Sequence, residues 1–177
     1  MVPTVFVAPY FMETTLRFVA AAAELPGVRL GLVSHDPEDK LPPGLRSRLA
    51  GHWRVDDSLN PTQLAGAVRG LAARLGPVQR LIGTLEELQV PLAEVRAALG
   101  IPGVSVEVAK NFRDKSRMKH VLRAAGLPCA RHRLAESEHD AWAFAEEVGY
   151  PLVAKPPTGS GSHNTFRIDG PNRMREW

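Results

Sequence analysis

Short apolar runs, spaced by stretches that carry a helical stripe, constrain this chain more than any other feature. Thr4–Ala8 is apolar without alternation, the pattern of a strand buried on both faces. Val28–Val33 repeats it, a short third strand is expected at His52–Val55, and Arg80–Thr84 supplies a fourth. Between the first two runs, a helix from Glu13 to Leu25 places Met12, Leu16, Val19 and Ala23 on one face, with Gly27 after its end. Pro37 to Gly51 reads as a loop around Pro42-Pro43-Gly44, with a helical turn near Leu45–Leu49. Asn60-Pro61 provides an N-cap and an N1 proline for the next helix, whose stripe is Leu64, Val68, Leu71 and Leu75, closed by Gly76-Pro77. Glu86 to Leu99 is helical, with Pro91 restarting or kinking it and Gly100 ending it. Strand alternating with helix at this rhythm predicts βαβ units on a parallel sheet, an α/β domain over residues 1–108.

The common chemistries of such a sheet are excluded by missing residues. The loop after the first run, Ala8-Pro9-Tyr10-Phe11-Met12, has no glycine to let a pyrophosphate approach the backbone, so Asp36 does not read as a dinucleotide ribose ligand. Gly-x-Ser-x-Gly is absent, and Gly159-Ser160-Gly161-Ser162 lacks the Gly-Lys-Ser/Thr of a Walker loop. The six histidines show no zinc-ligand spacing with one another or with the single cysteine, Cys129, which also precludes an internal disulfide. No apolar run approaches the ~20 residues of a membrane span. Met1-Val2-Pro3-Thr4 has no basic n-region, so a cytoplasmic protein is expected.

The pattern changes after a linker expected over residues 101–109. Asp114 caps a helix with Met118, Val121, Leu122 and Ala125 inward; Ala130–Leu134 reads as a strand; Ser137 caps a helix with Ala141, Phe144, Ala145 and Val148 inward. A short buried strand, Leu152–Ala154, then delivers Lys155 to a loop, Thr158–His163, followed by a strand at Thr165–Ile168 and a helix from Pro171. Lys110 to Arg133 holds eight Lys/Arg and one acid, +7, while the remainder holds 14 basic and 18 acidic residues, −4. A positive segment in a slightly acidic chain points to an anionic ligand. Nucleic acid is disfavoured because the few aromatics are not interleaved with the basic residues. Lys155 on a strand end, beside glycines that permit close approach and serines that donate hydrogen bonds, is a reasonable phosphate grip.

Asp114-Lys115, Met118-Lys119, Ala125-Gly126-Leu127-Pro128, Gly149-Tyr150-Pro151 and Val153-Ala154-Lys155-Pro156 with Gly159-Ser160-Gly161-Ser162 resemble, in order and spacing, the front of an ATP-grasp domain. Leu81–Glu86, Gly100–Gly103 and Asn111–Lys119 are similar to the amino-terminal domain of the carboxylate–amine ligases in that superfamily. The resemblance implies a Rossmann-like pre-ATP-grasp domain over 1–108 and the first, incomplete α+β subdomain of an ATP-grasp fold over 109–177, its strands mostly antiparallel. It implies that Lys115 and Lys155 contact ATP phosphates. It makes Gly159, Ser160, Gly161, Ser162 and His163 part of a mobile loop over them. Many relatives carry a glycine where this chain has His163-Asn164.

The function so implied is that of the amino-terminal part of an ATP-dependent ligase joining a small carboxylate to an amine, amino acids among the candidates, through an acyl phosphate. ATP and Mg2+ are the implied cofactors. The metal acids and the adenine-binding strand are expected beyond Trp177, so no metal ligand is named in this chain and no turnover is expected of it. The identities of both substrates and a homodimer stay open. The alternatives are a biotin-carboxylase-like or purine-synthesis enzyme of the same superfamily, and a non-enzymatic nucleotide- or RNA-binding module.

Overall fold

The computed structural model describes residues 1–176, and the chain folds as two compact units with the boundary after Ala109. The first holds a four-stranded parallel sheet in the order β3-β2-β1-β4, built from β1 (Val2–Val7), β2 (Val28–Ser34), β3 (Gly51–Arg54) and β4 (Arg80–Ile82). Its register pairs Val5 of β1 with Gly31 and Leu81, and Gly31 with Gly51. Successive side chains of β1 enter opposite cores, as the two-residue strand period requires. Val5 and Val7 join Val33 under α3 (Pro61–Leu75) and α4 (Gln89–Leu99), while Phe6 and Ala8 join Leu30, Leu32 and Val19 of α1 (Glu13–Glu24). Helices on both faces explain why these strands read as unbroken apolar runs.

The α3 prediction holds in detail: Asn60 Oδ1 accepts from the Thr62 and Gln63 amides, and Leu64, Val68, Leu71 and Leu75 are all buried. The α1 face is rotated from the one expected. Thr15, Val19 and Ala22 are buried, Leu16 and Ala23 pack beside the core, and Met12 is the exposed cap residue. Four consecutive alanines give that stripe no sharp edge, so packing on the sheet sets the roll of the helix. Pro91 neither kinks nor restarts α4. It lies in the first turn, where amides have no intrahelical partner, after a separate 3-10 turn at Glu86–Leu88. The helical turn of the 37–51 loop is α2 (Pro43–Arg46), preceded by a 3-10 turn at Glu38–Lys40. The expected linker is helical over its last four residues, where α5 (Val106–Arg113) begins.

In the second unit, α6 (Lys115–Ala124) begins at the Asp114 cap and α7 (Glu138–Val148) at the Ser137 cap. They are followed by a two-stranded antiparallel sheet, β5 (Leu152–Ala154) with β6 (Phe166–Ile168), and by α8 (Pro171–Glu176). Three expectations fail here. The stripe Met118, Val121, Leu122 and Ala125 is not buried, and α6 has no buried residue at all. Residues 130–134 form no strand, because no strand among the described residues runs beside them; the Ala130 carbonyl instead accepts from Lys119 Nζ at 3.3 Å and Arg123 Nη2 at 3.1 Å. β5 is not buried: Leu152 and Ala154 pack towards Ala145, Ile168 and Met174, while Val153 is 61% exposed. On α7 only Ala145 is buried, with Ala141 and Trp142 packed beside it.

Candidate functional site

The candidate site is built from the start of α6 and the loop between β5 and β6. Asp114 Oδ1 accepts from the amides of Ser116 at 2.8 Å and Arg117 at 3.0 Å, which fixes the first turn of α6 and the direction in which Lys115 leaves it. The Lys115 amide donates to the Pro157 carbonyl at 2.9 Å, and its Nζ donates to the Gly159 carbonyl, also at 2.9 Å. Lys115 is thus fastened to the loop at two points.

The loop itself turns tightly. Gly161, Ser162 and Asn164 have φ of +63°, +60° and +54°, and the amides of His163 and Thr165 donate back to the carbonyls of Ser160 and Ser162 at 3.3 and 3.2 Å. Left-handed backbone is uncommon outside glycine, and asparagine is among the side chains that tolerate it best. Asn164 is therefore a side chain suited to its left-handed position in this turn. Ser162, His163 and Asn164 are exposed, and Gly159 and Ser160 half-buried.

Lys155 follows the last residue of β5. One face of the β5–β6 pair is covered through Leu152, Ala154 and Ile168. Val153 and its partner Arg167 belong to the other face, and continued alternation puts Lys155 there too. That side chain is exposed, and its ammonium forms no hydrogen bond or ion pair among the described residues. Lys115 and Gly159 are therefore brought into contact, and Lys155 stands on the open face of the strand that leads into the same loop. The two carbonyls that anchor Lys115, from Pro157 and Gly159, were not foreseen, since main-chain acceptors leave no mark in a sequence.

The basic run is only partly available to a ligand. Lys119 and Arg123 hold the Ala130 carbonyl, and Arg133 pairs with Glu147 at 2.5 Å and lies 5.4 Å from the Phe144 ring centroid. The Arg133–Glu147 pair is exposed and contributes little to stability, but it offsets that charge. No group of three or more His, Cys, Asp or Glu side chains converges among the described residues. No helix among them is long and apolar enough to cross a membrane.

No protein-family model matches the chain. Over 125 residues it is 30% identical to the L-arginine-specific L-amino acid ligase of Bacillus subtilis, an alignment covering 68% of this chain and 30% of that protein. Among solved structures, the L-amino acid ligase of Bacillus licheniformis superimposes with a TM-score of 0.74 at 20% identity, over 99% of this chain and 41% of that one. The biotin carboxylase domain of 2-oxoglutarate carboxylase from Hydrogenobacter thermophilus, solved with MgADP, ADP and bicarbonate, also gives 0.74 at 20% identity, over 98% and 39%. The chain thus spans well under half the length of these proteins, on the fold expected for their family. On these likenesses and this fold, the chain belongs to the ATP-grasp superfamily, among its carboxylate–amine ligase-like members, and corresponds to a part of such an enzyme.

Proposed function

We propose that this chain is the phosphate-gripping part of an ATP-dependent ligase that joins a carboxylate to an amine through an acyl phosphate, with amino acids as substrates. The contact of the Lys115 ammonium with the Gly159 carbonyl carries this reading, since it brings a cation to a turn rich in amide and hydroxyl donors. Phosphoryl transfer depends on positioning and charge neutralisation more than on covalent help. Lys115 and Lys155 neutralise the triphosphate; Gly159, Ser160, Gly161, Ser162 and His163 close over it and exclude water from the activated carboxylate. The first unit is the pre-ATP-grasp domain and the second the opening of the ATP-grasp domain, working as a cytoplasmic protein. Magnesium would add charge neutralisation at the phosphates when bound, and no step is assigned to it.

The test is ATP titration of the chain by calorimetry, with Lys155→Ala beside it. Weak binding that the substitution lowers further supports the grip; RNA binding tighter than ATP at physiological salt, or ATP binding indifferent to Lys155→Ala, rejects it. The likeness to a bicarbonate-bound biotin carboxylase domain keeps a second reading in view. ATP consumption by the whole protein that depends on L-amino acids supports ligation, whereas dependence on bicarbonate supports carboxylation.

A further inference from the structure

Beside the Lys115 contact, α6 has a second chemistry-bearing face. Ser116 and His120, and Arg117 and Val121, are each four residues apart and so stack along one side of the helix. With Asn111 and His132 they line an open cavity of about 430 Å³. That volume falls in the range of roughly 300–1,000 Å³ typical of small-molecule pockets.

Its lining is one-sided in charge. Arg117 and two imidazoles face it, Asn111 and Ser116 add neutral polar groups, and none of the six lining residues is an acid. Arg117 is oriented by a 3.3 Å hydrogen bond from its Nε to Asn111 Oδ1. His132 Nδ1 is shielded from solvent and meets no partner at full hydrogen-bond geometry, although the Ser116 main chain lies near enough to act on the imidazole. The groups acting on His132 are predominantly cationic. Burial holds its imidazole below the usual range, Arg123 and Lys119 push the same way, the Ser116 backbone opposes them, and His120 adds a weaker push. The cavity is far larger than one inorganic anion, and Val121 gives it an apolar wall.

We propose that this cavity binds a small organic anion, its carboxylate or phosphate held by Arg117, His120 and His132 and its apolar body against Val121. The site does not depend on the nucleotide reading, because the Lys115–Gly159 contact uses none of its lining residues.

Histidine-labelled NMR of the 177-residue chain tests it, with phenyl phosphate and benzoate as the two anionic probes and benzyl alcohol as the neutral one. Either anion is expected to raise the titration midpoint of His132 and to shift the Val121 methyl signals, and whichever binds more tightly identifies the head group. Arg117→Gln should weaken that binding at least fivefold, His120→Gln should weaken it too, and Lys155→Ala should leave it unchanged. Equal binding of benzyl alcohol, the same His132 shift with sodium chloride at matched ionic strength, or loss of the shift in Lys155→Ala would each overturn the proposal. So would unaltered affinity in both Arg117→Gln and His120→Gln.

Discussion

The ammonium of Lys115 donates to the carbonyl oxygen of Gly159 at 2.9 Å, joining the first turn of one helix to a loop 44 residues later. An ammonium has three donors, so this contact leaves others for an anion. Lys115→Met removes both the tie and a charge. ATP affinity is expected to fall about tenfold, roughly 1.4 kcal/mol, and amide exchange at residues 159–163 to quicken. Lys155→Met should lower affinity while leaving loop exchange as it is. Identical exchange behaviour in the two variants would contradict the assignment of the tie to Lys115.

Two glycines on α3 should respond oppositely to the same substitution. A Cβ at Gly66 meets nothing within 4 Å, so Gly66→Ala is expected to stabilise by about 0.5–1 kcal/mol through helix propensity alone. A Cβ at Gly70 would overlap the Trp53 ring, carried by edge strand β3. Overpacking costs of about 1–3 kcal/mol exceed that gain, so Gly70→Ala should destabilise and alter the tryptophan fluorescence. Urea denaturation of both variants decides; stabilisation by Gly70→Ala would show that Trp53 yields freely.

The pH dependence of stability follows from His52. The Ser34 hydroxyl donates its one proton to the Asp36 carbonyl at 2.5 Å, so His52 Nε2, 2.7 Å from the same oxygen, is the donor in that pair. Burial holds the His52 imidazole below its usual range, Glu38 opposing and Arg46 assisting. The unfolded chain therefore takes up a proton first. The contribution is full above the unfolded value of about 6.5 and is lost as pH falls through it towards the folded value. His132 is shifted in the same direction, so the comparison must be with a variant. His52→Gln should lose less stability than the parent between about pH 7 and pH 5; parallel curves would remove His52 from the account.

Helix caps of similar geometry should differ in reach. Asn60→Ala removes an acceptor serving two amides of α3, whose six buried residues belong to the main core, and should lower global stability by about 1 kcal/mol. Asp114→Ala removes the same kind of cap from α6, which buries nothing. Its effect should appear as faster amide exchange within α6, with a much smaller change in the denaturation midpoint. Equal midpoint losses would mean that α6 is coupled to a core that its exposure does not reveal.

Where a segment found its partners within the first unit, its sequence was legible. The unbroken apolar character of Val5 to Ala8 follows from burial on both faces, and Asn60-Pro61 marked the start of α3 because capping and the N1 proline are local effects. The lysine-plus-loop pattern could be put forward as a candidate because glycines, serines and Lys155 lie within a few residues of one another. The stripe on α6 and the run at 130–134 were misread because burial and ladder pairing depend on what lies alongside, and periodicity states only what a segment could accept.

By itself, then, the sequence determined the parallel α/β unit and its main caps, set by short-range backbone and patterning rules, and it put forward Lys155 and the loop after it as a candidate phosphate grip. Only the tertiary structure decided that Lys115 is held by the carbonyl of Gly159, that Lys155 stands on the open face of its hairpin, and that Arg117, His120 and His132 share a cavity. Main-chain acceptors and meetings between separate elements have no sequence signature, because they arise from where the chain returns in space rather than from which residues follow one another.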